Sequence, residues 1–354
     1  MKYDLDVLAD YVSKGLIVGQ SHHTLPLAIF NYSRECQYEG LWDEITLNMR
    51  GTILDNEGNV VAKTFPKFFN YEEHIAEDSK LPSIPNENFE VYEKLDGSLG
   101  IIFHYGGEWH IASKGSFTSE QAIKGKELLD KMNTEYGLYE DYTYLVEIIY
   151  PENRIVVDYG NTEKLVVLGC YNRITGEEGE IDNMTSEGWE VVKMYKTWGE
   201  DWETLKKEIS KDNEGYVIRF KSGFRMKIKG EEYLRLHRIL TNISTRVIWR
   251  MLMNNEPLEP ILERVPDEFD VWFKEVVKDL QTRFDNIYND YFNIFLEISA
   301  KVSSNDRKAF AEEALKYPHP SILFSFYDGK HDTRNEYIWK LLKPKYEKAF
   351  KTEE

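Results

Sequence analysis

Residues 91–101 read VYEKLDGSLGI: a strand-like apolar run ends in Lys94, the Asp96-Gly97 pair turns the chain, and a second apolar run follows. A lysine at the end of a strand is ordinary. A nucleophilic lysine needs a rigid mount and neighbours that remove its proton, because an amine with a pKa of about 10.4 is free in only about one molecule in a few thousand at pH 7. Lys-x-Asp-Gly alone would arise by chance in roughly one chain in ten of this length. The meaning of Lys94 therefore depends on what the rest of the chain brings to it.

Outward from this stretch, short β-rich runs dominate residues 50–230: Gly51–Leu54, Leu99–Tyr105, Glu108–Ala112, Tyr142–Tyr150, Leu165–Cys170, Gly215–Phe220 and Arg225–Lys229. Gly106-Gly107 predicts a two-residue hairpin, since such turns demand positive φ angles that glycine tolerates. Helical patterns interleave at 119–132 and 201–209. Beyond about residue 231 the pattern is helical throughout. After Pro266, Phe269, Trp272, Phe273, Val276, Leu280, Phe284, Ile287, Tyr291, Ile294 and Ile298 recur at three- and four-residue steps, which is the core stripe of one long helix. Further helices are predicted at 308–317 and 334–342. The expected class is α+β: an N-terminal domain, 1–241, of mainly antiparallel sheets flanked by helices, and an all-helical C-terminal domain, 242–354.

Composition sets the outer limits. With 354 residues, 42% hydrophobic and 14% aromatic, the chain can bury a large core in about two domains. No stretch approaches the roughly 18 apolar residues of a membrane span, and the N-terminus lacks a secretion pattern. A soluble, cytoplasmic, monomeric protein without a membrane partner is expected, in the host cytoplasm if the gene is viral. Cys36 and Cys170 lack metal-ligand spacing and read as reduced packing residues. The formal charge of −18 argues against a nucleic-acid protein, yet Arg219, Lys221, Arg225, Lys227, Lys229, Arg235, Arg238, Arg246 and Arg250 face only Glu231 and Glu232 in sequence. As a charge run alone, this stripe reads as a solvated face.

Four features downstream of Lys94 supply groups that phosphoryl chemistry requires. ASKGS at 112–116 sets Lys114 on a turn able to present N–H groups to an anion. Glu147 lies within a strand of β-formers, and a buried carboxylate costs several kcal/mol unless a metal, a hydroxyl or a cation meets it. Glu214 opens the strand GYVIRF. In RMKIKG, strand alternation sets Lys227 and Lys229 on one face, where they repel unless an anion lies between or above them. Upstream, IFNY, MRGTI and PKFFN contribute Tyr32, Arg50, Lys67 and Phe69 as a candidate triphosphate clamp.

Taken in order, IFNY, MRG, PKFFN, EKLDGSL, ASKGS with SEQA, the Glu147 strand running into PENRIVVDYG, EGYV, and KIK with YLRLH resemble the covalent nucleotidyltransferases. Among these they are most similar to the phage T4 RNA ligase family of RNA-end-repair enzymes, over nearly the whole chain. The resemblance implies an ATP-dependent RNA ligase. Lys94 would attack the α-phosphate of ATP, AMP would pass to an RNA 5′-phosphate, and a 3′-hydroxyl would displace it. It implies Lys227 and Lys229 at the α-phosphate and leaving group, and Tyr32, Arg50 and Lys67 at the β- and γ-phosphates. Phe69, Lys114, Gly97 and the backbone of Glu93 and Leu95 would bind the rest of the nucleotide, while Asp96, Glu147 and Glu214 would hold Mg²⁺ or Mn²⁺. Glu147 and Glu214 also count among the catalytic groups. Lys114, Lys227, Lys229 and the metal are expected to disfavour the Lys94 ammonium.

Single-stranded RNA ends are the implied partner, with a nicked tRNA anticodon loop as one form and the helical domain selecting it. Leu99 stands where many DNA ligases carry an arginine, and the helical tail replaces the OB-fold usual in DNA ligases and capping enzymes. Those enzymes, and an inactive RNA-end-binding module, remain the alternatives. Leu165–Cys170 offers no aromatic before Tyr171, which leaves the adenine-stacking partner open.

Overall fold

A computed structural model describes residues 1–132, 137–195, 201–210, 212–262, 265, 267–303 and 305–348. Pro266 and the last six residues of the expected helical domain lie outside them. The chain divides into two compact units, Met1–Arg235 and Leu236–Glu354; the sequence pattern sets the boundary near 242, at the end of the helix Glu231–Asn242 that crosses the division.

Three sheets build the first unit. In the first, β1 (Ile17–Ser21), β2 (Leu27–Tyr32), β3 (Arg50–Asp55) and β4 (Val60–Ala62) run antiparallel in chain order. A second sheet joins β5 (Phe69–Asn70), β6 (Phe89–Lys94), β13 (Met194–Tyr195), β14 (Gly215–Phe220) and β15 (Arg225–Lys229) in the order β13-β6-β14-β15-β5, antiparallel except for the β5–β15 pair. The third holds β7 (Ser98–Tyr105), β8 (Glu108–Ser113), β9 (Tyr142–Ile149), β10 (Lys164–Asn172) and β11 (Glu178–Gly179) in the order β11-β10-β9-β7-β8, with β12 (Glu190–Val191) parallel to β10.

The opening stretch is the corner between two of these sheets. β6 ends at Lys94, residues 95–97 turn, and β7 begins at Ser98 in the neighbouring sheet. Gly97 is required there, because a Cβ on it would lie 2.7 Å from the carbonyl oxygen of Ile148. Gly106 and Gly107 close the β7–β8 hairpin with φ of 64° and 87°, as the sequence predicts.

Strand alternation partitions the core. On the third sheet Ile101, Phe103 and Leu145 face the first sheet's Leu27, Ile29 and Ile53, while Ile102, Tyr144, Val146 and Ile148 pack with Leu128 and Leu129 of the helix Glu120–Leu129. Glu147 therefore shares the Leu145 face. Behind the second sheet, Leu205 of the helix Trp202–Glu208 packs on Val91, Ile218 and Ile228. Each buried side chain of this size contributes about 1.5–3 kcal/mol.

The second unit is helical among its described residues. Its long helix, Asp267–Lys301, buries Phe269, Phe273, Leu280 and Ile298, so the predicted stripe is core. The helices Arg307–Ala314 and Pro320–Tyr327 supply Phe310, Ala314 and Leu323 against Ile298. From the helix His331–Leu341, Trp339 stacks on Phe284 at 4.7 Å. No described helix is long and apolar enough to cross a membrane.

Candidate active site

Lys94 pairs with Gly215 at the start of β14, and Gly215 pairs with Lys229 at the end of β15. Three neighbouring strands thus end side by side, and the side chains at their ends meet. Lys94 Nζ donates to Glu214 Oε2 at 2.7 Å, and Lys229 Nζ donates to Glu214 Oε1 at the same distance. Two residues upstream in β15, Lys227 shares the Lys229 face while Met226 and Ile228 are fully buried on the other, as alternation requires.

Gly215 makes this convergence possible. Its φ is 152°, and a Cβ on it would lie 2.0 Å from the Ile228 carbonyl oxygen. Backbone conformation and the partner strand both exclude a side chain. Gly215→Ala is expected to cost more than about 3 kcal/mol and to lower Tm by at least about 6 °C in a melting experiment. A variant that melts with the wild type would overturn this reading of the strand end.

Across the corner, Glu147 Oε1 accepts the Gly97 N–H at 2.9 Å. Burial lifts the Glu147 pKa to about 8; Lys94 opposes this, and Glu214 and Asp96 add to it. Asp96 is almost wholly buried, and its carboxylate accepts three hydrogen bonds: Oδ2 from the amides of Val156 and Val157, and Oδ1 from the Tyr233 hydroxyl at 2.7 Å. Burial, then Glu214, raise its pKa. Of the three acids expected to hold a metal, Asp96 is thus engaged by the protein's own donors. Among the described residues no three His, Cys, Asp or Glu side chains form a group that could hold an ion, and Asp96 serves to fix the turn behind the nucleophile. Glu147 and Glu214 remain the carboxylates beside Lys94.

One expectation reverses. Burial works against the Lys94 ammonium, but Glu214, Glu147 and Asp96 outweigh it and hold the pKa above the ordinary lysine value. Burial likewise opposes the Glu214 carboxylate, and Lys94 and Lys229 overcome it, leaving its pKa low. Without nucleotide, Lys94 is a cation clamped to an anion, and the neighbouring lysines do not free it.

Those other cations carry the strain instead. Burial first, then Lys67, Lys94, Lys229 and Arg50, push the Lys227 pKa down to about 7. Burial, then Arg50, bring Lys67 to about 8. Arg50, from the start of β3, bonds to Tyr32 and leaves a buried Nη1 without a hydrogen-bond partner among the described residues. Lys114 lies 5.9 Å from the Tyr32 ring centroid, and its carbonyl accepts from the Asn31 side chain. Lys67 faces the rings of Phe69, Tyr32 and Trp42.

Glu93 and Leu95 are placed less directly. The Glu93 amide donates to the Lys193 carbonyl at 2.9 Å, so it is not a donor for a base, and the Leu95 side chain is core. The basic stripe divides within the first unit. Arg219 bridges Glu90 and Glu178, Arg225 pairs with Glu178 beneath the surface, and Arg235 pairs with Glu232, whereas Lys227 and Lys229 belong to the cluster. Sequence reasoning assigned no role to Trp42, Tyr159 or Tyr233. Tyr159 accepts the Asp96 amide, and the position of Tyr233 four residues after Lys229, within YLRLH, was the available signal for it.

A lysine at the corner of two largely antiparallel sheets, with acids beside it and crowded cations close by, is an arrangement suited to covalent nucleotidyl transfer. The family model of T4-type RNA ligases matches residues 48–233, and the chain belongs to that family. An RNA ligase of Rhodothermus phage RM378 is 24% identical, over 91% of this chain and 90% of the relative. A provisionally named RNA ligase of Thermovibrio ammonificans is 29% identical over 76% of this chain and 72% of its own length. Among solved structures, an archaeal ATP-dependent RNA ligase matches 88% of this chain and 86% of its own, at 16% identity and a TM-score of 0.49.

Proposed function

We propose that this RNA ligase uses ATP to join an RNA 5′-phosphate to a 3′-hydroxyl through a lysyl-AMP on Lys94. The observation that carries this reading is the crowd of Arg50, Lys67, Lys114, Lys227 and Lys229 around one reactive amine, with Lys67 and Lys227 held well below their ordinary pKa. Like charges brought together at the cost of their own protons require a polyanion, and a triphosphate answers that need.

In the first step the Lys94 nitrogen forms a bond to the α-phosphorus, the bond to the bridging oxygen breaks, and pyrophosphate leaves with the electron pair. Before it attacks, Lys94 gives up its ammonium proton to water by way of the Glu214 carboxylate bonded to Nζ at 2.7 Å, which frees the lone pair that forms the new bond. Lys227 and Lys229 stabilise charge on the α-phosphoryl oxygens; Arg50, Lys67 and Tyr32 hold the β- and γ-phosphates, where the unpartnered Nη1 of Arg50 finds an acceptor. AMP then moves to the RNA 5′-phosphate, and the 3′-hydroxyl oxygen displaces it.

Glu147 and Glu214 are the residues to hold Mg²⁺ or Mn²⁺, Glu214 by exchanging an ammonium for it. Such an ion supplies positive charge that offsets the phosphates and favours the free amine of Lys94. Binding it also requires Glu147 to give up its proton, which at its pKa of about 8 is largely bound at neutral pH.

The helical unit is assigned to choosing the RNA substrate, a nicked tRNA anticodon loop among them. With ATP and a divalent ion, a 5′-phosphorylated single-stranded RNA is expected to be circularised or joined, with DNA the poorer substrate. A chain cut after residue 242 should still label itself with AMP while losing substrate choice. Sealing confined to nicked duplex DNA would defeat the assignment.

A further inference from the structure

We propose that Trp42 is a positioning residue for the leaving-group end of the triphosphate: its indole completes an aromatic cage that holds the Lys67 ammonium in place for the terminal phosphates. The proposal rests on the ATP reading above and adds to it a residue and a step.

Three rings surround Lys67 Nζ at nearly equal range, with centroids at 5.3 Å for Phe69, 5.4 Å for Tyr32 and 5.5 Å for Trp42. Trp42 stands between the other two, edge-on to Tyr32 at 5.0 Å and 87° and to Phe69 at 5.4 Å and 73°. Removing the indole would therefore release both neighbours as well as one face of the cation. Glu73 is the carboxylate whose charge reaches Lys67, and among the described residues it forms no ion pair with it, so the three rings flank the ammonium.

The cage is built rather than incidental. Trp42 immediately precedes Asp43, which caps the helix Glu44–Asn48 through a reciprocal pair with Thr46, each backbone N–H bonding the other's side chain at 2.8 Å. The Tyr11 hydroxyl fixes the second Asp43 oxygen at 2.6 Å. From the same short helix, the Leu47 carbonyl accepts the Lys67 amide at 2.7 Å. One capped turn thus sets both the cation and the ring that flanks it.

An ammonium facing aromatic rings has exchanged water for fixed, oriented quadrupoles. When a phosphate arrives, less water must be displaced from the cation and its direction is already set. That gain belongs only to steps in which the β- and γ-phosphates are present. Once AMP is on the RNA, no pyrophosphate remains for Lys67 to hold, and Trp42 has nothing to position.

The test divides the reaction at that point. Trp42→Ala is expected to raise the ATP concentration needed for half-maximal self-adenylylation by about tenfold, and Trp42→Phe to recover most of this. Joining of RNA supplied already 5′-adenylated should stay within about twofold of wild type, which also reports that the variant is folded. In a Lys67→Met background, Trp42→Ala should add less than about twofold, because both changes remove the same device. Parallel losses in the ATP-driven and preadenylated reactions, an unchanged ATP requirement, or full additivity with Lys67→Met would each overturn the proposal. Failure of the wild-type protein to label with ATP would instead strike the underlying reading, so the two failures are told apart.

Discussion

Lys94→Ala should leave no label on the protein after incubation with α-labelled ATP and a divalent ion, followed by denaturation and electrophoresis: less than about 1% of the wild-type signal. No other lysine replaces it. Among the described residues Lys94 is the amine at the corner between two sheets, beside both Glu147 and Glu214, and a methyl group cannot form the phosphoramidate. Loss of fold would not explain the result. Glu214 keeps its bond to Lys229, and the removed charge relieves Lys227, whose pKa Lys94 helps to depress. A persisting labelled band would move the nucleophile to a neighbour. Lys227 would then be the first suspect, because at neutral pH it is the more readily deprotonated of the two.

Lys227→Met is expected to act in opposite directions on activity and stability. Its charge, crowded by Lys67, Lys94, Lys229 and Arg50, serves the nucleotide and burdens the empty protein. Self-adenylylation should fall by about 100-fold or more, as when one preorganised charge is removed from a transferring phosphoryl group. Tm of the unliganded protein should rise by about 3 °C, since methionine fills a similar volume without a cation to desolvate. The sign of the pH dependence follows from the folded pKa of about 7 lying below the ordinary lysine value of 10.5. Between those two values the unfolded chain binds more protons than the folded one, so stability rises with pH through this window. The destabilisation by the charged Lys227 is full below about pH 7 and fades above it. The Tm advantage of the variant should accordingly be largest near pH 6, about half as large by pH 9, and lost only above about pH 10.5. A wild-type protein that is the more stable at pH 6 would contradict the crowding.

Much of this was legible because strands have a period of two. Alternation alone placed Lys227 and Lys229 opposite Met226 and Ile228, and placed Glu147 on the Leu145 face. The Asp-Gly pair marked the corner, and paired glycines marked the β7–β8 hairpin. The short strands escaped notice: β4 has three residues, and β5, β11, β12 and β13 have two each. Segments of that length carry no periodicity, so the division into three sheets was not visible. The part Asp96 plays in fixing the turn was not visible, because its hydrogen-bond partners lie 60, 61 and 137 residues away. No local pattern announces that a carboxylate is already satisfied. The basic stripe misled in the same way, since Glu90 and Glu178 reach Arg219 and Arg225 only through the folded sheets. Trp42 stood in a loop without a repeating signal, and its meaning depends on Lys67 and Phe69 arriving from a distant segment that leads into β5.

The inverted basicity of this lysine cluster bears on chemical probes. Acylating and sulfonylating reagents select amines that are unprotonated at working pH, so in the resting protein they would modify Lys227 and Lys67 before the catalytic residue. An electrophilic inhibitor built on an adenosine scaffold would therefore reach Lys227 with a warhead at the position of the α-phosphate and Lys67 with one at the β- or γ-phosphate, and bound ATP should shield those same amines from the reagent.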